Sequence, residues 1–104
     1  MKQLDSISYY EEISSEKLTL VKYFGAWCGP CKVLTPILED VVKNYPDINV
    51  GEVDIDTHMD LARKDGVRGV PTVVFYKNGV EVPNSRMVGL QPAQAYTQKI
   101  KSLK

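Results

Sequence analysis

Apolar and polar positions change period several times along this chain, and each change marks an element. Leu18-Thr19-Leu20-Val21-Lys22-Tyr23-Phe24 is β-branched, aromatic and mostly apolar, the pattern of a central strand covered on both faces, with Lys22 as the exception. Leu34, Ile37, Leu38, Val41, Val42 and Tyr45 then fall at helical spacing and predict one long helix. Pro36 lies inside that stripe, where it removes one backbone donor and clashes with the carbonyl of Lys32, so a kink rather than a stop is expected. Ile48 to Ile55 alternates well enough for a second strand.

Shorter signals fill the rest. Ser8-Tyr9-Tyr10-Glu11 has capping-box spacing and predicts a helix over roughly 9–15, and Thr57-His58-Met59-Asp60 repeats that spacing before a short helix ended by Gly66. Thr72–Tyr76 and Val80–Val82 flank Lys77-Asn78-Gly79, and Asn-Gly between such runs is a strong hairpin signal because both residues tolerate positive φ. Pro92, Ala93, Tyr96, Ile100 and Leu103 suit a terminal helix with proline in its first turn. With a short strand expected at Lys2–Leu4, the order is (β)αβαβαββα: an α/β fold with a central mixed sheet flanked by helices on both faces.

Composition narrows the function. A chain of 104 residues, 43% hydrophobic and 25% charged, is expected to form one domain over 1–104. With 13 basic and 13 acidic residues spread evenly, no basic face draws it to nucleic acid or to an anionic membrane. Met1–Tyr10 has no apolar run of signal-peptide length, and nothing approaches the roughly 18 apolar residues of a membrane span, so a cytoplasmic location is expected. In a reducing compartment, the two cysteines, Cys28 and Cys31, then call for a chemical rather than a framework explanation.

Trp27-Cys28-Gly29-Pro30-Cys31-Lys32 joins the end of the buried strand to the start of the long helix. Unpaired N–H groups and the positive end of the helix dipole there favour a Cys28 thiolate, lowering its pKa below the free value of about 8.5. Cys31, one turn on, is placed to attack a mixed disulfide on Cys28, while Gly29 and Pro30 set the turn and open the helix. Cys28 is expected to be the exposed nucleophile and Cys31 the more buried resolving thiol. Half of a zinc site shared in a dimer, or a pair of small buried hydrophobes, are the alternatives; a single histidine, His58, leaves the metal short of ligands. Asp54 and Asp56, at a strand end, are expected at a helix entry or in solvent rather than on a metal. Trp27 reads as docking surface or core.

The Trp27–Lys32 motif resembles the active site of the thioredoxin family, and the resemblance continues through Pro36, Val53-Asp54-Ile55-Asp56, Arg68-Gly69-Val70-Pro71-Thr72, Lys77-Asn78-Gly79 and Val88-Gly89, nearly the whole chain in order. It implies the thioredoxin fold and a protein-disulfide reductase with a reversible Cys28–Cys31 disulfide, no cofactor and no metal. Its implied partners are a flavin-dependent thioredoxin reductase and disulfide-containing client proteins, with the chain a monomer. A cis bond before Pro71 is implied, with Trp27, Gly29, Pro30, Val70, Pro71, Thr72 and Gly89 forming the surface that meets an extended client segment. A non-catalytic accessory subunit of a larger enzyme is the alternative use of that surface.

Three positions depart from the family pattern. Phe24 stands where tryptophan is common, the segment Val80–Arg86 is longer than usual, and Lys22 occupies the place of a buried aspartate. The lysine that approaches that aspartate in the family is matched here by Glu52, so the two charges have exchanged places. An unpaired buried ammonium costs several kcal/mol, and a partner at about 4 Å would return about 4 kcal/mol at an effective dielectric near 20. Either Lys22 and Glu52 pair, making Glu52 the candidate base for Cys31 with Lys22 favouring thiolates, or Lys22 buries its stem and sends its head to water.

Overall fold

In the computed structural model, which describes residues 1–104, the apolar run becomes strand β2 (Thr19–Phe24) at the middle of the sheet. On one side it pairs in parallel with β3 (Asn49–Asp54), beyond which lies β1 (Lys2–Gln3). On the other it pairs antiparallel with β4 (Thr72–Lys77), so the sheet is mixed, as its sequence implies. The hairpin turn forms at Asn78 and Gly79, with φ of 53° and 82°, and leads into β5 (Val80–Glu81).

A strand absent from the sequence reading, β6 (Met87–Val88), pairs with the start of β4 at Thr72 and Val73. β5 and β6 therefore lie in tandem along one edge of β4, separated by an excursion at 82–86. Two residues on a half-exposed edge carry no periodicity to read.

Four helices cover the faces: α1 (Ser8–Ile13), α2 (Gly29–Val42), α3 (Met59–Lys64) and α4 (Ala93–Leu103). Because strand side chains alternate, Val21, Tyr23, Val74 and Tyr76 pack with Tyr9 and Ile13 of α1 and Leu61 of α3, whereas Leu20, Val73 and Phe75 pack with Leu34 and Leu38 of α2 and Tyr96 and Ile100 of α4. Pro36 lies within α2 without ending it. No helix is long and apolar enough to cross a membrane.

The cap expectations need correction. Ser8 does not cap through Glu11; Asp5 Oδ1 accepts from the N–H groups of Ile7 and Ser8, each at 2.8 Å, while Ser8 Oγ accepts from Asp5 N–H at 2.9 Å. The box is thus Asp5-x-x-Ser8, three residues earlier, and α1 stops at Ile13 rather than Ser15. At α3, neither Thr57 nor Asp60 forms a side-chain cap; His58 is the N-cap and its N–H bonds Asp54 O at 2.9 Å. Pro92 is likewise the N-cap of α4, one place before its first turn.

Candidate active site

Cys28 is the N-cap of α2, held extended at φ −89° and ψ 109°. Its Sγ accepts the Cys31 N–H at 3.2 Å, one of the amides a helix start leaves without a backbone partner. Gly29 opens the helix with Pro30 behind it, where the missing proline N–H goes unneeded. The two sulfurs are bonded to each other, with Cα atoms 5.3 Å apart, so the pair closes across a single helical turn. Cys28 and Cys31 are 4% and 2% exposed. The expected contrast in exposure is therefore absent from this oxidised form; what separates the two is position, Cys28 at the cap and Cys31 inside the first turn.

Trp27, 66% exposed, lies beside the pair as surface rather than core. Its indole packs over Gly25, where a Cβ would sit 2.6 Å from Cε2, and its Nε1 donates to Asp56 Oδ2 at 2.7 Å. Asp54 Oδ1 in turn accepts Asp56 N–H at 2.9 Å, so these two carboxylates hold Trp27 and the loop. The role of Asp56 escaped the sequence reading because its contact with Trp27 spans 29 positions of chain, and Gly25, only two residues from Trp27, carries no pattern that shows the ring folding back over it.

Across from the cysteines, the Val70–Pro71 bond is cis, and Val70 O lies 3.7 Å from Cys28 Sγ. Gly89 N–H donates to Pro71 O at 2.8 Å, joining the end of β6 to this corner. Pro71 and Thr72 are both buried; the Thr72 hydroxyl donates to Gly69 O at 2.7 Å, and its register neighbours are Tyr23 and Val88. Thr72 braces the loop, and Val70 is the residue of this corner whose backbone lies against Cys28.

Beneath Cys31, Lys22 and Glu52 stand side by side on β2 and β3, and Lys22 Nζ lies 3.0 Å from Glu52 Oε1. Their side chains are 2% and 12% exposed, so the ammonium does not reach water. Lys22 also donates to Thr35 Oγ1 and lies over the Phe24 ring at 5.2 Å, while Glu52 accepts from Gln3. Thr35 donates onward to Cys31 O at 3.1 Å, tying the charge pair to the helix turn that bears the cysteine. Thr35 was hidden in the apolar stripe of α2. Lys22, Glu52, Thr35, Phe24 and Cys31 line one cleft of about 330 Å³.

A second polar cluster lies on the opposite face of the sheet. The hydroxyls of Tyr9 and Tyr76 each donate to Asp65 Oδ2 at 2.5 Å, and Tyr23 donates to the same oxygen. Burial would raise the Asp65 pKa, but the hydrogen bonds from Tyr23, Tyr76 and Tyr9, with Lys64 nearby, hold it below the usual carboxylate range. Burial, reinforced by that carboxylate, pushes all three phenols up, so they stay protonated donors.

Comparison with known proteins agrees with this arrangement. A family model described as thioredoxin matches residues 1–102. Thioredoxin-2 of Saccharomyces cerevisiae is 42% identical over 93 residues, 88% of each chain, and a thioredoxin of Chlamydia pneumoniae is 35% identical over 96% of each. The solved structure of Plasmodium falciparum thioredoxin superposes with a TM-score of 0.90 at 30% identity, covering 100% of both chains.

Proposed function

The chain belongs to the thioredoxin family and is a thiol–disulfide oxidoreductase with a redox-active cysteine pair; from that premise we propose that it is a cytoplasmic, monomeric reductant of protein disulfides in which Cys28 attacks and Cys31 resolves. In the reduced form the Cys28 thiolate attacks one sulfur of a client disulfide, and the other client sulfur leaves as a thiolate and takes a proton. Cys31 then loses its proton, attacks Cys28 Sγ and frees the second client sulfur. Two electrons have passed to the client and the Cys28–Cys31 disulfide remains, to be reduced again by a flavin-dependent thioredoxin reductase.

The observation that carries the assignment of Cys28 is its place at the N-cap of α2, with the Cys31 N–H directed at its sulfur, an arrangement that stabilises a thiolate there. Glu52 is the base for Cys31, acting directly or through water in the cleft the two share, while Lys22 supplies positive charge that favours thiolates. Trp27, Gly29, Pro30, Val70, Pro71, Thr72 and Gly89 form the client-binding surface, with backbone at Val70 open to pair with an extended segment. No observation favours the accessory-subunit alternative.

Insulin reduction with dithiothreitol tests this reading. Wild type is expected to turn over, while Cys31→Ser stops after one attack and carries the client as a mixed disulfide on Cys28. Equal turnover by Cys31→Ser would remove Cys31 from the reaction, and limiting iodoacetamide labelling of reduced wild type mainly at Cys31 would reverse the assigned roles.

A further inference from the structure

The loop from Asp65 to Pro71 joins α3 to β4 and ends in Val70, whose carbonyl lies 3.7 Å from Cys28 Sγ, and the cis-bonded Pro71. Its far end is tied down by Gly89 N–H on Pro71 O and by the Thr72 hydroxyl on Gly69 O. Its near end starts as a glycine-terminated helix stop: Gly66, at φ +65°, donates to Arg63 O at 3.1 Å and Val67 donates to Ala62 O at 2.8 Å. That motif satisfies the α3 carbonyls and leaves those of Asp65 and Gly66 directed outward.

Arg86 takes both. Its Nη2 donates to Asp65 O at 2.6 Å and its Nη1 reaches Gly66 O at 3.4 Å. The same guanidinium grips Glu81, through Nε to Oε2 at 3.1 Å and Nη2 to Oε1 at 2.8 Å. A planar group with five fixed donors can span a carboxylate and two carbonyls together; an ammonium cannot.

Arg86 stands at the end of the excursion between β5 and β6, directly before Met87. The excursion is itself closed: Asn84 turns the chain at φ 58°, and buried Ser85 donates to Val82 O at 2.6 Å. Glu81 and Arg86 therefore join the two ends of the excursion, and Arg86 fastens that junction to the start of the Val70–Pro71 loop. From beneath, the Asp65 side chain is fixed by Tyr9, Tyr23 and Tyr76.

We propose that Arg86 is a positioning residue for client recognition, in which the Glu81–Arg86 fork clamps the 65–70 loop so that the Val70 backbone is held in register with Cys28. The proposal rests on the reading of Val70 and Pro71 as the client-facing surface. A protein client that pairs along this backbone needs its position fixed in advance. A small aromatic disulfide needs only an accessible Cys28 thiolate.

The test sets two substrates against each other with the full chain at a temperature where thermal melts show every variant folded. Arg86→Gln is expected to raise the KM for insulin about five- to tenfold with kcat little changed, while the reaction of the reduced protein with DTNB stays within about twofold of wild type. Arg86→Lys is expected to resemble Arg86→Gln, and Glu81→Gln, which opens the fork but keeps both carbonyl contacts, to fall between them and wild type. Amide exchange at Gly66–Val70 is expected to quicken in Arg86→Gln. An unchanged insulin KM, equal losses with insulin and DTNB, or unchanged exchange in that loop would each overturn the clamp. Failure of wild type itself to reduce insulin would instead strike the functional reading on which the clamp rests.

Discussion

Lys22 and Tyr23 are neighbours on β2 and point to opposite faces of the sheet, and each ends in a buried polar cluster built on a different plan. On the Tyr23 face one carboxylate, Asp65, receives three neutral hydroxyls on one oxygen, with the half-exposed Lys64 ammonium 3.4 Å from the other, and none of these residues lines a cleft. On the Lys22 face a carboxylate meets an ammonium, the pair lines a cleft of about 330 Å³ that Cys31 shares, and Thr35 links it to the Cys31 turn. The first plan immobilises a charge by complete hydrogen bonding and joins α1, β2, β4 and the end of α3. The second leaves a carboxylate lining the same cleft as Cys31. Both charges are buried, and what separates the two faces is that only the Lys22 face shares a cleft with Cys31.

The comparison breaks most visibly if Asp65 is removed. Asp65→Ala leaves three buried hydroxyls without their acceptor, and we expect a loss of about 3–5 kcal/mol in urea denaturation, with Tm falling by roughly 15 °C or more. Folded Asp65→Ala is expected to react with DTNB at the wild-type rate. A stability loss within error of zero would remove the tyrosine cluster from the account of the fold.

Lys22→Met is expected to cost about 2–3 kcal/mol, because it strands Glu52 on a nearly closed face without its cation. The double variant Lys22→Met with Glu52→Gln should recover much of that loss, since both charges are then gone. Additive losses in the double variant would mean that the two side chains contribute separately.

A smaller effect comes with acid. The Asp65 pKa is lowered in the fold, so its stabilising contribution is complete above the unfolded value near 4 and disappears as pH falls through the folded value. Urea midpoints measured between about pH 3 and pH 6 should fall in wild type below about pH 4, and Asp65→Asn should lack that part of the slope. The same slope in both proteins would assign acid sensitivity to other carboxylates.

How much of this was legible in the sequence depended on whether the signal was local. The doubly covered strand Thr19–Phe24, the long helix through Pro36 and the Asn78-Gly79 turn are each written in residues that touch one another, and the structure places them with boundary shifts of a few residues. The redox turn was readable for the same reason. The Lys22–Glu52 pairing was readable because an apolar strand made one lysine conspicuous and the resemblance to the family supplied Glu52 as its partner. Tyr9, Tyr23 and Tyr76 gave no such contrast: each passes for an aromatic core residue, and their convergence on Asp65 appears only once α1, β2, β4 and α3 are assembled. Thr35 and Arg86 were silent likewise, their partners lying on other elements.

The central claim is that the Lys22 face takes part in the chemistry and the Tyr23 face does not, and stopped-flow kinetics of a single turnover measures this most directly. Reduced protein is mixed with a client disulfide, and formation of the Cys28 mixed disulfide is followed separately from its resolution by Cys31. Glu52→Gln is expected to slow resolution about tenfold or more while first attack changes by less than about twofold, and Asp65→Asn is expected to leave both steps near wild type. Resolution in Glu52→Gln as fast as wild type across about pH 6 to pH 8, or equal slowing in Asp65→Asn, would contradict the account.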